Sequence, residues 1–406
     1  MRILLSTIGS RGDVQPIVAL ALALRSFGHE PRLCIPPDFK GWVEGLGFAV
    51  TTVGPELRAT GLARPTAPLP TPEQRRAMVA GTVDIQFETI MAAARGCDLI
   101  VGATALQVAA PSVAEHLGVP YAFAAYCPAV LPSRHHAPPV LAMLGDKAPA
   151  ATADFSALWN QDAQRWNDGW REPLNARRTT LGLAPVEDVR GHVLTSHPLL
   201  AADAMLAPWP EASDAAVVQT GAWILPDERP LAGALLEFLD AGEPPVYFGF
   251  GSARAPQDLA RTMICAARSV GRRAIVSRGW AGLALVDDAP DCLSIDEVNQ
   301  QLLFQRVAAV VHHGGAGTTT AAARAGAPQV VIPQHYDQHY WAQRVGHLGI
   351  GTAHSPGTPT PGTLAVALEA SLRPEVSTRA RALAAQVRGD GAFVAARFLA
   401  SGAPPA

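Results

Sequence analysis

The sequence predicts an α/β protein of two domains, in which two parallel sheets face each other across a cleft. Short apolar runs of strand length alternate with longer stretches of helical composition, and this alternation is typical of parallel strands joined by helical crossovers. The alternation occurs twice, on either side of a segment rich in proline and turn residues. With 406 residues, of which 49% are hydrophobic, the chain can form two compact domains of about 200 residues each.

The first half predicts a Rossmann-like domain over residues 1–205. A buried first strand, a GSRGD turn and a helix with proline near its start, at residues 16–29, form a β-turn-α unit. A further helix is predicted at residues 107–118. The predicted strands are residues 2–7, 31–36, 49–54, 98–103 and 120–126.

Two proline-rich segments of the first half, residues 59–73 and 133–139, are predicted to be long irregular loops that shape a ligand pocket. Residues 155–182 are predicted to form one or two helices. Their tryptophans recur at helical spacing, which favours packing in a core or pocket wall over an exposed stacking platform. These tryptophans are Trp159, Trp166 and Trp170.

A linker rich in proline and turn signals is predicted at residues 206–242, and a second Rossmann-like domain at residues 243–390. Residues 391–406 form a separate, apolar amphipathic C-terminal segment. The strands predicted for the second domain are residues 245–252, 272–279, 292–298, 308–313 and 329–333.

Composition excludes several classes of partner. The net charge is −3 and no basic block occurs, so neither nucleic acid nor an anionic membrane is the expected partner. Five scattered cysteines without a C-x-x-C pair argue against a disulfide framework or a zinc site and favour a reducing cytoplasm. The chain has no apolar run of about 18 residues, so we expect no membrane insertion. We expect a monomer or a weak dimer.

The motif HHGGAGTTT, residues 312–320, lies where a predicted strand meets a predicted helix. Its glycines let the backbone approach a ligand, and the N–H groups of the following helix, with the Thr318 and Thr319 hydroxyls, favour an anion there. The alternative is a tight turn without a ligand. The pair His312 and His313 favours the ligand, because an imidazole adds a directional donor that a purely structural turn does not need.

Polar side chains follow the ends of strands in both halves. In open α/β sheets ligands bind outside the carboxyl ends of the strands, so two facing sheets place their ligands in the shared cleft. The strand-end residues are Ser10, Arg11, Asp13, Ser252, Arg278, Trp280, Asn299, His312 and Asp337.

The order of these motifs resembles the nucleotide-sugar-dependent glycosyltransferases of GT-B fold, and among them the actinobacterial natural-product enzymes that decorate glycopeptide antibiotics. Sterol glucosyltransferases are similar as well. The resemblance spans nearly the whole chain. It implies that the first domain binds the acceptor, that the second binds the nucleotide sugar, and that the C-terminal segment packs back on the first domain. The segments that carry it are GSRGDVQP (9–16), QTGAWILPDERPL (219–231), FGFGS (248–252), SRGW (277–280), IDEVN (295–299), HHGGAGTT (312–319) and PQHYDQHYWAQRV (333–345).

The resemblance also implies which residues bind the donor. A diphosphate cradle would consist of His312, Gly315, Ala316, Gly317 and Thr318, reached from two sides by Ser10 and Ser252. The nucleoside would be bordered by Trp280, Val298 and Asn299, with Arg278 also on the donor side. Asp337 and Gln338 would hold hydroxyls of the donor sugar. This favours a hexose with free hydroxyls, with glucose as the leading candidate.

Asp13, in the turn after the first strand, resembles the family's general base. A carboxylate with an ordinary pKa of about 4 is deprotonated at neutral pH but is a weak base unless it is desolvated, so closure of the cleft should matter. The alternative role for Asp13 is the N-cap of the helix over residues 14–27.

No D-x-D carboxylate pair occurs in the sequence, so we expect an inverting transfer without a metal or another cofactor. The resemblance leaves the choice between UDP and dTDP open. A sterol or lipid glucosyltransferase, a sugar-nucleotide epimerase and a non-catalytic sugar-nucleotide-binding helper stay possible. The proline-rich loops favour an acceptor site over an epimerase. The lack of G-x-G-x-x-G after the first strand argues against an NAD-dependent oxidoreductase.

Overall fold

A computed structural model of the chain describes residues 1–58, 71–104, 106–141, 153–211, 217–252, 258–354 and 358–401. The described residues form a seven-stranded and a six-stranded sheet, and every strand pair in both is parallel. The predicted fold class, two Rossmann-like domains with facing parallel sheets, is confirmed. Each strand predicted from the sequence overlaps a strand of the structure.

The first sheet has the order β3-β2-β1-β4-β5-β6-β7. Its strands are β1 Arg2–Thr7, β2 Glu30–Ile35, β3 Ala49–Thr52, β4 Leu99–Ala103, β5 Tyr121–Ala125, β6 Leu199–Leu200 and β7 Val218–Gln219. The helices of this half are α1 Arg11–Ser26, α2 Lys40–Gly45, α3 Pro72–Ala93, α4 Ala110–Leu117, α5 Phe155–Thr180 and α6 Val189–Leu194. The strand order reverses between β1 and β4, which makes the turn after β1 a favoured ligand position.

The second sheet has the order β10-β9-β8-β11-β12-β13 and reverses between β8 and β11. Its strands are β8 Val246–Gly249, β9 Ala274–Ser277, β10 Cys292–Ile295, β11 Ala309–His312, β12 Gln329–Val331 and β13 Gly351–Ala353. The helices are α7 Gly233–Asp240, α8 Leu259–Ser269, α9 Gln300–Leu303, α10 Ala316–Arg324, α11 Gln338–His347, α12 Pro361–Ser371, α13 Pro374–Ala384 and α14 Gly391–Ala400. The motif HHGGAGTTT therefore lies at the reversal point of this sheet.

Three short strands were not predicted. β6 and β7 have two residues each and β13 has three, which is too short for a periodic pattern. β7 lies inside the segment predicted as the linker, so the first sheet extends beyond residue 205. The predicted loop at residues 59–73 lies mostly outside the described residues.

Two helices of the second half pack on the first domain. The buried side of α14, which includes Ala395 and Leu399, shares a core cluster with α1, and the rings of Phe27 and Phe393 meet edge to face at 6.2 Å. Trp341 of α11 lies in a core cluster with residues of the first domain. These contacts hold the carboxyl edges of the two sheets opposite each other.

The tryptophans of α5 are packing residues. Trp159 is buried, and Trp166 and Trp170 pack against the core cluster of the first domain. Among the described residues, no helix is long and apolar enough to cross a membrane.

Candidate active site

The turn between β1 and α1 is closed by its own side chains. Ser10 is the N-cap of α1, and its hydroxyl accepts a hydrogen bond from the Gly12 N–H at 3.3 Å. The Asp13 carboxylate accepts bonds from the Ser10 N–H at 2.6 Å and from the Ser10 hydroxyl at 3.2 Å. The helix starts at Arg11, so the predicted start at residue 16 was wrong, because the sequence pattern did not reveal this capping box. Asp13 is the third helical residue rather than the N-cap.

Gly9 is required for this arrangement. A Cβ atom at Gly9 would lie 2.1 Å from Oδ2 of Asp13, so only glycine lets the carboxylate fold back over the turn. Burial raises the pKa of Asp13 to about 6, although the hydrogen bonds from Ser10 oppose this rise. Asp13 is therefore ionised at neutral pH and yet is a stronger base than an ordinary aspartate.

Asp337 lies on the opposite side of the cleft, where α11 begins. Its carboxylate accepts a hydrogen bond from Nε1 of Trp341 at 3.0 Å and does not cap the helix. Burial raises the pKa of Asp337 to about 7, and the negative charge of Asp13 adds to the rise. The Asp337 carboxyl therefore lies within electrostatic range of Asp13, across the boundary between the domains.

Gln338 shapes the loop that precedes it. Its Oε1 accepts bonds from the backbone N–H groups of Gln334 at 2.8 Å and His335 at 3.2 Å. Among the described residues its amide nitrogen has no hydrogen-bond partner, so this group is the one that could meet a ligand.

Among the described residues, none caps the turn between β11 and α10 with its side chain. Gly315 is the N-cap, and Gly314 has φ +93°, where a Cβ atom would lie 2.8 Å from Val331. The first N–H groups of α10 are therefore open to an anion. The Thr319 hydroxyl is buried and donates to the Gly315 carbonyl at 2.9 Å, so a contact with an anion would have to replace this bond, and that contact stays a prediction.

His312 supports this turn from behind. It is 0% exposed, its Nδ1 accepts a bond from the Gly314 N–H at 3.1 Å, and its Nε2 bonds Oε1 of Gln329 at 2.9 Å. Burial lowers the pKa of His312 to about 3, so the ring is neutral. Direct contact with a diphosphate would break one of these bonds, and this contact remains a prediction.

His313 lies against the front of the same turn. A Cβ atom at Gly315 would lie 2.7 Å from its Nε2, and among the described residues its buried Nδ1 has no partner. Burial lowers the pKa of His313 to about 4. The structure thus adds an imidazole that the resemblance did not assign.

The residues predicted to border the nucleoside lie at the ends of β9 and β10. Asn299 is 2% exposed, and its Nδ2 donates to the Asp227 carbonyl at 2.6 Å and the Arg229 carbonyl at 2.8 Å, which attaches the interdomain segment to the second domain. Its contact with a nucleoside stays a prediction. Arg278 and Ser294 share a 3.1 Å hydrogen bond on the surface.

The other predicted donor residues are partly accessible. Trp280, Val298, Ser252, Ala316 and Thr318 are half-buried, and Gly317 is exposed. All of them follow the carboxyl ends of strands of the second sheet, so the structure gathers the predicted set along one edge.

Tyr336 was not among the site residues predicted from the sequence. This residue has φ +58°, unusual for a bulky side chain, and pairs with Val140 of the first domain through backbone hydrogen bonds of 2.6 and 3.3 Å. No sequence signal marks this strained conformation. In the described part of the chain, no cluster of three or more His, Cys, Asp or Glu side chains could hold a metal ion.

Both halves of the chain match known protein families. Residues 3–133 match the glycosyltransferase family 28 N-terminal domain, and residues 269–393 match the C-terminal domain of erythromycin biosynthesis protein CIII-like proteins. Glycosyltransferase GtfE of Amycolatopsis orientalis is 50% identical over 98% of this chain and 97% of its own. The vancomycin aglycone glucosyltransferase of that organism is 49% identical, over 98% and 97%.

A solved structure shares the fold, and a sterol glucosyltransferase is similar at lower identity. The solved structure of spinosyn forosaminyltransferase SpnP has a TM-score of 0.69 at 20% identity and covers 99% of both chains. A sterol 3-beta-glucosyltransferase of Cryptococcus neoformans is 29% identical over 87% of this chain and 24% of its own length. The chain therefore belongs to the GT-B natural-product glycosyltransferases, close to the Amycolatopsis glycopeptide glycosyltransferases.

Proposed function

We propose that this glycosyltransferase moves a hexose, glucose first, from a UDP- or dTDP-sugar to a hydroxyl of a glycopeptide-type natural product, with inversion at the anomeric carbon. The observation that carries the proposal is the half-buried Asp13 carboxylate, which the Ser10 N–H and hydroxyl hold in the turn after β1, at the reversal point of the first sheet. The similarity to a vancomycin aglycone glucosyltransferase supports both the acceptor class and glucose. A cytoplasmic location and a monomer or weak dimer remain predictions.

In the proposed reaction, the acceptor hydroxyl gives its proton to Asp13 while its oxygen bonds to the anomeric carbon. The bond from that carbon to the diphosphate oxygen breaks on the opposite face, which inverts the centre. Asp13 is suited to this step because desolvation raises its pKa to about 6.

The leaving nucleoside diphosphate gains negative charge, and we assign the stabilisation of this charge to the turn between β11 and α10. Its open N–H groups and the positive end of the α10 dipole favour an anion. The diphosphate contact predicted for His312 would replace its bond to the Gly314 N–H or to Gln329, and His313 lies beside the same turn.

Sugar recognition is assigned to the start of α11. The Asp337 carboxylate can accept bonds from sugar hydroxyls, and the amide nitrogen of Gln338 can donate one. A hexose with free hydroxyls offers both kinds of partner, which supports glucose over a deoxygenated sugar.

The reaction is proposed to need no divalent metal. Activity should survive treatment with EDTA, because the first N–H groups of α10 and the positive end of its dipole are proposed to stabilise the leaving diphosphate in place of a metal ion. Loss of turnover in EDTA, restored by Mg²⁺ or Mn²⁺, would contradict this.

The function is tested with UDP-glucose and dTDP-glucose against a glycopeptide aglycone and a sterol, with products detected by mass. We expect the aglycone to gain one hexose while the nucleoside diphosphate is released. Hexosylation of the sterol alone would favour the sterol glucosyltransferase. A changed sugar nucleotide without acceptor would indicate an epimerase, and binding without any turnover a helper protein.

A further inference from the structure

Phe39 joins the two domains beside the proposed nucleotide site. It ends a short 3₁₀ turn, Pro37–Phe39, after β2 and is 6% exposed. Its ring stacks on the indole of Trp280 from the second domain, with centroids 6.2 Å apart and planes inclined by 17°. This geometry is an offset stack, which is favourable for two aromatic rings.

A second contact between the domains lies next to the first and is connected to it through Trp42. Nη1 of Arg11 bonds both carboxylate oxygens of Glu297 in the second domain, at 2.8 and 2.9 Å. The Arg11 guanidinium also lies 4.5 Å from the ring centre of Trp42, and the edge of Trp42 meets Phe39 at 6.5 Å. Together, Arg11, Phe39, Trp42, Trp280 and Glu297 form what we call the interdomain latch.

Ring packing is the main contribution within the latch. The carboxylate of Glu297 is 63% exposed, so its ion pair with Arg11 contributes little on its own. Phe39 is buried in the core cluster of the first domain, against which Trp280 also packs. The first domain therefore fixes the position of the indole.

Only one face of the indole is used by this contact. Among the described residues, Phe39 is the sole aromatic ring stacked on Trp280, which remains half-buried at the end of β9. A side chain that is already fixed loses less entropy when a ligand stacks on it. A planar nucleoside base is the part of the donor that suits such a surface.

We propose that Phe39 is a positioning residue for the donor nucleotide: it supports one face of Trp280 and thereby holds the opposite face toward the nucleoside base. Base binding and contact between the domains are then coupled. This inference rests on the proposed function, since it requires a nucleoside diphosphate at the edge of the second sheet.

The test compares Phe39→Leu with Phe48→Leu by calorimetry with UDP, dTDP and inorganic diphosphate. Phe48 is the matched control, because it is 5% exposed in the same core cluster and its ring contacts Arg25 of its own domain. Phe39→Leu should raise the Kd of UDP or dTDP about threefold to tenfold and leave that of diphosphate within about twofold. Phe48→Leu should change neither, and Phe39→Tyr should restore wild-type affinity.

Equal changes in the two leucine variants, or an equal loss of diphosphate affinity in Phe39→Leu, would overturn the inference. If Phe39→Leu does not fold, Phe39→Met is used instead, because methionine fills a similar volume without a ring. The same changes in the Kd values are expected for it. Turnover by the wild type distinguishes failure of the latch proposal from failure of the proposed function. If the wild type transfers sugar while the Phe39 variants bind UDP and dTDP normally, the latch proposal alone fails. If the wild type binds neither nucleotide, both proposals fail.

Discussion

The turns after β1 and β11 have the same position in their sheets but differ in how the N-terminus of the following helix is capped. Each leaves the carboxyl end of a parallel strand at the reversal point of its sheet and enters a helix. At the first turn, Ser10 and Asp13 occupy the N-terminus of α1 with a reciprocal capping box. At the second, Gly315 is the cap, and among the described residues no side chain makes a capping hydrogen bond at the N-terminus of α10.

A helix N-terminus attracts negative charge. The first turn satisfies that preference with its own carboxylate, which is the base of the proposed mechanism. In the same mechanism, the second turn binds a negative charge from outside, the diphosphate of the donor. Variants in either turn test whether base function and diphosphate binding are separate.

Asp13→Asn should have the largest effect. Transfer should fall by about two to four orders of magnitude, because a positioned base is lost, while donor affinity stays near that of wild type. Steady-state kinetics with saturating donor measure the loss. Asp168→Asn, on the exposed surface of α5, is the control. An Asp13→Asn enzyme with wild-type turnover would remove Asp13 from the mechanism.

The pH dependence follows from the raised pKa of Asp13, about 6. Below that pH, kcat/KM should fall about tenfold per pH unit as the base becomes protonated, and above it should level off. The stability change has the opposite sign. A carboxyl with a raised pKa stabilises the folded state below its unfolded pKa of about 4 and loses this contribution as the pH rises through 6.

Melting temperatures of wild type and Asp13→Asn between pH 4.5 and 8 check the stability prediction. Asp13→Asn has no carboxyl to ionise at this position. The melting temperature of the variant minus that of wild type should therefore increase as the pH rises through 6. A difference that stays constant with pH would show that Asp13 is not desolvated in the folded protein.

Gly315→Ala should damage the second turn. The added Cβ would lie 2.7 Å from Nε2 of His313, so the turn must shift and at least one charge-assisted bond to the ligand is lost. The Kd of UDP or dTDP should rise about tenfold or more. Gly346→Ala, where a Cβ meets nothing within 4 Å, is the control. Unchanged affinity in Gly315→Ala would place the diphosphate elsewhere.

The two histidines of the second turn should respond differently. His312→Ala should lower both the melting temperature and the nucleotide affinity, since it leaves Gln329 and the Gly314 N–H without their partner. His313→Ala should lower affinity with little loss of stability. If His312→Ala weakens binding by about 1.5–3 kcal/mol without lowering the melting temperature, and His313→Ala binds normally, His312 touches the diphosphate directly.

Ser10→Ala should have the smallest effect. Removal of the cap should cost about 1 kcal/mol of unfolding free energy, and loss of the hydroxyl bond should raise the pKa of Asp13 further. Chemical denaturation and the pH profile measure the two changes. Since the hydroxyl is engaged within the turn, donor affinity should change less than about twofold. A tenfold loss of affinity at unchanged stability would instead indicate the phosphate contact that the resemblance implies.

The sequence predicted both turns and the strands that precede them, because apolar strand-length runs followed by glycine and polar residues are a local signal. It did not predict which of the polar side chains are held by hydrogen bonds within the protein. That distinction depends on distant partners: Gln329 for His312, and the Asp227 and Arg229 carbonyls for Asn299. The strained backbone of Tyr336 likewise depends on a pairing with Val140 that no local pattern reveals.

The division of roles between the two turns is tested most directly by measuring nucleotide affinity and turnover side by side in Asp13→Asn and Gly315→Ala. Calorimetry with UDP and dTDP should show near wild-type binding for Asp13→Asn and binding at least about tenfold weaker for Gly315→Ala. Turnover at saturating donor should fall by at least about a hundredfold in Asp13→Asn and far less in Gly315→Ala. If both variants instead lose affinity and turnover in the same proportion, the two turns do not divide base and anion binding between them.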